Sequence, residues 1–175
     1  TISGKAGSGK STVAKLIAQK IGLKHYSVGD VMREMASDKG ITLLELNKKA
    51  ETDRSIDFEL DERLKKMGKE KDNFVVDGRL TAFFIPGADA RVFLDAKDNV
   101  RAKRILGDAR EEEINKNLKS TLENIEKREM SEKKMYKKYY NVDYMDPTLY
   151  NLLIDTSEMS PEDVTSSIVK FVKNE

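Results

Sequence analysis

The stretch Gly4-Lys5-Ala6-Gly7-Ser8-Gly9-Lys10-Ser11 joins glycines that free the backbone to a lysine and a hydroxyl in fixed spacing. The order is Gly-x-x-x-x-Gly-Lys-Ser. Such glycines let successive backbone N–H groups turn inward around an anion. A helix starting at the end of the loop adds its positive dipole end and its unpaired N–H groups. Lys10 then reaches the outer phosphates of a nucleoside triphosphate, and the Ser11 hydroxyl ligates Mg²⁺. Gly4, Lys5, Ala6, Gly7, Ser8, Gly9, Lys10, Ser11 and Thr12 are therefore the candidate nucleotide-binding residues, with ATP and Mg²⁺ as the expected cofactors.

Two further groups could complete a phosphate-handling site. Val75-Val76-Asp77-Gly78-Arg79 places a carboxylate and a guanidinium just after an apolar run. Asp77 can orient Mg²⁺ beside Ser11, and Arg79 can hold a second phosphate with its planar fork. Arg33 stands one helical turn beyond Gly29, within reach of the same mouth. A third basic set, Arg101, Arg104, Arg110 and Arg128 with Lys133 and Lys134, is interleaved with glutamates. For most of its members a solvated helix face is the expectation; Arg104 and Arg128 are the exceptions. His25, the only histidine, reads as structural, with no carboxylate pattern around it. The tyrosines between 136 and 150 are expected to pack a helical arm on the core, and the methionines to fill it.

The elements that must position these groups can be read from periodicity. Thr1-Ile2-Ser3 ends a strand, and Thr12 to Ile21 form a helix closed by Gly22. The strand counts three residues where a buried one has about five or six, so further residues ahead of Thr1 are expected. Leu23–Ser27, Asn73–Asp77, Ala90–Asp95 and Leu149–Asp155 read as four more strands, of which Asn73–Asp77 and Ala90–Asp95 are almost wholly apolar, as in parallel sheets. Helices are expected over 29–37, from a capping box at Thr42 to about Glu51, from a cap at Ser55 to Gly68, and over 98–106. Arg110–Tyr140 is either two helices with a hinge or one long arm, outside the compact core. A last helix opens at Ser160-Pro161 and should bury Val164, Ile168, Phe171 and Val172.

Strands alternating with helices give an α/β fold with a parallel sheet, the ligand at the strands' carboxyl ends. At 175 residues one domain is expected, with inserts at roughly 29–69 and 107–140. Lys+Arg (32) and Asp+Glu (31) nearly cancel, which argues against a nucleic-acid or membrane surface. No cysteine is present, so thiol, disulfide and zinc–thiolate chemistry are excluded. No apolar run is long enough for a bilayer, and a cytoplasmic monomer is the expectation.

Taken together these strings resemble the nucleoside monophosphate kinases, and most of all cytidylate kinase of the archaeal type, over essentially the whole chain. The likeness rests on Tyr26-Ser27-Val28-Gly29-Asp30, Asp77-Gly78-Arg79-Leu80-Thr81-Ala82, Phe93-Leu94-Asp95-Ala96, Arg128-Glu129-x-Ser131-Glu132, Tyr139-Tyr140 and Ile154-Asp155-Thr156-Ser157. It implies a P-loop fold with a five-stranded parallel sheet in the order 2-3-1-4-5, a nucleoside-monophosphate-binding insert and a lid. It implies that Ser27, Arg33, Asp77 and Arg79 hold the acceptor, that Arg104 stacks on the donor adenine and that Arg128 reaches the transferring phosphoryl. Lys10, Arg79 and Arg128 are then the catalytic residues, and Ser11 and Asp77 the metal pair. The implied reaction is transfer of the ATP γ-phosphoryl to CMP or dCMP. Its rivals are another acceptor on the same scaffold (AMP, UMP or a small alcohol) and a nucleotide-driven switch. Leu80 stands where bacterial cytidylate kinases carry an acidic residue, and Lys133, Lys134 and Met135 where they carry arginines.

Overall fold

The computed structural model describes residues 1–50, 52–107 and 117–173. Five strands, β1 (Ile2–Gly4), β2 (Lys24–Ser27), β3 (Phe74–Asp77), β4 (Val92–Asp95) and β5 (Leu152–Asp155), form one sheet. The order is β2-β3-β1-β4-β5, and every pairing is parallel. The expected order and class are both found. With all strands pointing one way, Gly4, Ser27, Asp77, Asp95 and Asp155 end at the same edge. That edge is where a ligand site belongs.

The helices are α1 (Lys10–Ile21), α2 (Val28–Asp38), α3 (Leu43–Ala50), α4 (Ser55–Glu70), α5 (Thr81–Phe84), α6 (Asp98–Gly107), α7 (Leu118–Tyr140) and α8 (Pro161–Lys173). One core lies between the sheet and α1 with α8, built on Val13, Ile17, Val75, Leu94, Val164 and Ile168. The opposite face carries Val76 and Phe93 and meets α2, α4 and α5, with Met35, Leu46, Leu64, Phe84, Tyr144 and Tyr150 in its core. Alternation along β3 explains the split, since Val75 and Val76 point to opposite faces. None of the helices among the described residues is long and apolar enough to cross a membrane.

Several boundaries differ from the sequence reading, each for a local reason. β4 starts at Val92 rather than Ala90, and β5 at Leu152 rather than Leu149. Residues 147–149 instead make a 3₁₀ turn whose Asp146 carboxylate accepts the Thr148 N–H at 2.9 Å. Ser55 is not a cap; it is the first residue of α4, and Asp53 accepts its N–H at 2.9 Å. Gly68 does not end that helix, which runs to Glu70; a Cβ at Gly68 would meet Ile85 Cγ2 at 2.7 Å, so the glycine serves close packing. In α8, Thr165 and Val169 are buried, whereas Phe171 and Val172 are exposed. Met35 and Met67 fill the core as expected, but Met130 is exposed. The Thr42 capping box is found, with Glu45 accepting the Thr42 N–H and Thr42 accepting the Glu45 N–H.

The largest revision concerns the stretch after Gly107. From Leu118 it is a single helix of 23 residues, opened by Asn117 and Ser120 in a capping box. Arg110 and Ile114 lie outside the described residues. The helix is not peripheral. Its inward side runs Leu118, Thr121, Leu122, Ile125, Glu129, Glu132, Tyr136, Tyr140, one face at helical spacing, with Thr121 and Ile125 buried. The stripe loses its apolar residues midway without leaving the core, because buried partners there are arginines. Tyr136, Tyr140, Tyr144 and Tyr150 pack as expected, with Tyr140 edge-on to Phe84 at 5.4 Å between centroids. Tyr139 is the exception: exposed, it carries the Arg54 guanidinium 3.3 Å from its ring centre.

The Tyr140 hydroxyl donates to Asp61 Oδ2 at 2.6 Å, and Asp61 is only 5% exposed. Burial pushes the Asp61 carboxyl pKa up, and this hydrogen bond opposes the rise. Tyr140→Phe is expected to lower unfolding stability by about 2 kcal/mol, the range for losing a hydrogen bond to a charged buried group. Chemical denaturation reads this directly; an unchanged midpoint would show that Asp61 is satisfied by other means. On the outer side of the same region Asp38, Arg63, Glu59 and Lys39 form a chain of ion pairs (2.7, 2.9 and 2.7 Å) that ties the end of α2 to α4.

Candidate active site

The loop between β1 and α1 is shaped for close backbone approach. Gly4 (φ +146) leaves no room for a side chain, since a Cβ there would sit 2.1 Å from the Leu94 carbonyl oxygen. At Gly7 (φ +74) a Cβ would lie 2.6 Å from the Arg101 carbonyl oxygen. Any larger residue would push the loop off β4 and α6. The Lys10 ammonium turns back across the loop and donates to the Lys5 carbonyl at 2.6 Å. Lys5 itself pairs with Asp95 at 2.9 Å. Thr156, just past β5, donates to the Ser8 carbonyl at 3.1 Å.

Two arginines hold the loop from outside. Arg101, 1% exposed, donates to the Ala6 carbonyl at 3.1 Å, to Glu129 at 2.6 Å and to Asp98 at 2.6 Å. Arg79 donates to the Gly4 carbonyl at 3.1 Å and to Glu132 at 2.7 Å. Glu129 and Glu132, three residues apart on α7, thus each grip an arginine whose other N–H holds a loop carbonyl. Glu132 also accepts from Arg128 at 3.0 Å, so one carboxylate joins two predicted catalytic arginines. Burial alone would raise the Glu132 pKa; Arg79 and Arg128 outweigh it and hold the carboxyl below the usual range. The sequence places Arg101, Glu129 and Glu132 on a solvated face; the structure turns them inward. No hydrophobic pattern finds them, since Glu129 and Glu132 lie beyond the last aliphatic residue of the α7 stripe and Arg101 stands on α6.

The predicted metal pair is brought together. The Ser11 hydroxyl donates to Asp77 Oδ2 at 2.7 Å. No group of three or more His, Cys, Asp or Glu able to hold a metal occurs among the described residues. A serine hydroxyl and one carboxylate suit Mg²⁺, which keeps several waters and takes its remaining ligands from substrate phosphates. The residues present therefore fit the ion the loop implies. His25 corrects the sequence reading: a carboxylate does face it, for its Nε2 lies 2.7 Å from Asp77 Oδ1. In the parallel register His25 pairs with Val75 and Ser27 with Asp77, which puts His25 and Asp77 on one side of the sheet.

The remaining predicted residues fall as follows. Ser27 caps α2, exchanging hydrogen bonds with Asp30 (Ser27 N–H to Asp30 at 2.9 Å, Asp30 N–H to Ser27 at 3.0 Å). Arg33 is exposed and paired with Asp30. Arg104 donates to the Thr156 hydroxyl at 2.9 Å and carbonyl at 2.7 Å, and stretches to the Gly7 carbonyl at 3.5 Å. Thr12 is an exposed residue in the first turn of α1.

The electrostatics of this edge centre on Lys10. Burial, with Arg79 and more weakly Arg128 nearby, pushes its pKa well below the usual lysine value against the pull of Asp77 and Glu132. A polyphosphate would restore the charge. Nucleotide binding is therefore expected to take up a proton at Lys10, with affinity falling as pH rises through its lowered pKa. Calorimetric titration in buffers of different ionisation enthalpy measures the uptake; no uptake anywhere below the ordinary lysine range would contradict the lowered pKa.

With this geometry in place, a family model described as the cytidylate kinase-like family matches residues 1–158. The chain belongs to that family. Among its relatives, a cytidylate kinase of Natronomonas pharaonis is 41% identical over 173 residues, 98% of this chain and 88% of the relative. One of Archaeoglobus fulgidus is 40% identical over 99% of this chain and 93% of the relative, and one of Pyrococcus horikoshii 42% identical over 94% and 82%. Among solved structures, an uncharacterized protein from Eubacterium ventriosum superposes with a TM-score of 0.74 at 21% identity, covering 99% of this chain and 97% of that one. A shikimate kinase from Bacteroides thetaiotaomicron gives 0.69 at 16% identity, covering 99% and 95%. These structural likenesses establish the fold, which this chain shares with a shikimate kinase.

Proposed function

We propose that this member of the family transfers the γ-phosphoryl group of ATP to the 5′-phosphate of CMP or dCMP, giving CDP or dCDP. The observation that carries the reading is the row of cations along one sheet edge: Lys10 in the phosphate loop, with Arg79 and Arg128 joined on Glu132 beside it. Phosphoryl transfer asks little covalent chemistry of a protein; it asks for positioning and for charge neutralisation of two adjoining phosphate groups. The relatives named cytidylate kinase, near 40% identity over almost the whole chain, support a cytosine nucleotide as acceptor.

In this reading Lys10 and the amides from Gly4 to Thr12 hold the donor phosphates. Ser11 and Asp77 hold Mg²⁺, which supplies charge neutralisation on the donor when bound. Ser27, Arg33 and Arg79 fix the acceptor, whose phosphate oxygen attacks in line. Arg128 meets the transferring group, and Arg104 flanks the donor base. Residues about 29–69 form the acceptor insert and about 107–133 the lid, around a core of 1–28, 70–106 and 141–175. Small-molecule substrates call for no macromolecular partner, and we take the enzyme to work as a cytoplasmic monomer.

The test is an acceptor screen with Mg-ATP and CMP, dCMP, UMP, AMP, GMP, shikimate or no acceptor, followed by product analysis. Strong CDP and dCDP formation is expected. Transfer to AMP or to an alcohol instead would keep the scaffold and overturn the substrate. Slow ATP hydrolysis with every acceptor idle would overturn the kinase reading.

A further inference from the structure

We infer that His25 is a positioning residue of the metal pair: it takes one oxygen of Asp77 and so turns the other toward Ser11. The geometry is a linear chain. His25 Nε2 stands 2.7 Å from Asp77 Oδ1, while Asp77 Oδ2 accepts the Ser11 hydroxyl at 2.7 Å. Each carboxylate oxygen has its own partner. The site is built rather than incidental, for Asp77 has a side-chain exposure of 6% and His25 one of 16%. Asp77 is the last residue of β3, where a carboxylate could otherwise swing about its side-chain torsions. A donor fixed on the neighbouring strand removes that freedom.

The consequence is chemical. A carboxylate held in one orientation presents one oxygen to the ion and its waters without an ordering cost at each binding event. Outer partners of this kind typically govern about 10–100-fold of metal affinity. His25 reaches neither substrate nor metal in this arrangement; it acts through Asp77 alone. The inference rests on Ser11 and Asp77 being the metal pair, and it is independent of which acceptor is used.

The experiment compares wild type with His25→Met, which fills similar space but cannot donate, and with His25→Gln, whose amide nitrogen can take the place of Nε2. Binding of a non-hydrolysable ATP analogue is measured by calorimetry with Mg²⁺ and with EDTA, together with the Mg²⁺ concentration giving half-maximal turnover. His25→Met is expected to weaken analogue binding about tenfold or more in Mg²⁺, leave binding in EDTA unchanged, and raise the half-saturating Mg²⁺ by a similar factor. His25→Gln is expected to stay near wild type. Equal weakening with and without Mg²⁺, or none at all, would overturn the role of His25. Wild-type binding indifferent to Mg²⁺ would instead overturn the metal pair itself. Should His25→Met melt early, His25→Asn takes its place, since its shorter amide stops short of Asp77.

Discussion

Replacing Lys10 by methionine is expected to lower CDP formation about a thousandfold or more, the upper range for removing one preorganised donor from developing charge. The fold should survive the change. Among the described residues Lys10 donates to the Lys5 carbonyl of its own loop, and burial with the repulsion of Arg79 disfavours its charge there. Removing a desolvated cation relieves that cost, so the melting temperature should stay level or rise. Lys10→Arg should not rescue transfer, because a planar fork cannot follow a phosphate as a compact ammonium does. Assay of CDP from ATP and CMP decides the matter. A variant keeping more than about a tenth of wild-type turnover would remove Lys10 from the reaction.

Arg101→Met should be the most damaging change outside the phosphate-contacting residues. Three groups lose their partner at once: Glu129, Asp98 and the Ala6 carbonyl. Asp98 is exposed and returns to water at little cost, but Glu129 is left largely buried. Breaking such a pair from one side costs about 3–5 kcal/mol. The loss should appear as a lowered denaturation midpoint. Nucleotide binding should weaken as well, since Arg101 steadies the Ala6 peptide in the middle of the phosphate loop. Full stability in this variant would mean that the buried ion pair is dispensable.

What could be read from the chain alone follows a physical line. β3 and β4 are short, apolar and β-branched or aromatic, and the loop motif is a contiguous string, so local sequence fixes both. Leu149 and Tyr150 look like the start of β5 for the same reason, but Asp146 turns the chain there before pairing can begin. The misreadings that matter most are non-local. Nothing adjacent to His25 in the chain announces Asp77; only the pairing of β2 with β3 brings them together. Along α7 the side chains of Glu129 and Glu132, which composition assigns to solvent, are largely buried. Their partners, Arg101 and Arg79, come from two other parts of the chain, so a hydrophobic pattern could not have shown this face.

The ion-pair chain from Asp38 through Arg63 and Glu59 to Lys39 gives the region between β2 and β3 a response to its surroundings that the sheet does not share. Its members are partly exposed, so dissolved salt screens them within about a Debye length, whereas the apolar layers against the sheet are indifferent to such screening. Heating acts in the opposite sense. The hydration that competes with charge pairing becomes less favourable as temperature rises, while burial of apolar surface gains nothing comparable. The ionic link between α2 and α4 is therefore strongest, relative to the apolar layers, in hot, dilute solution and weakest in cold brine.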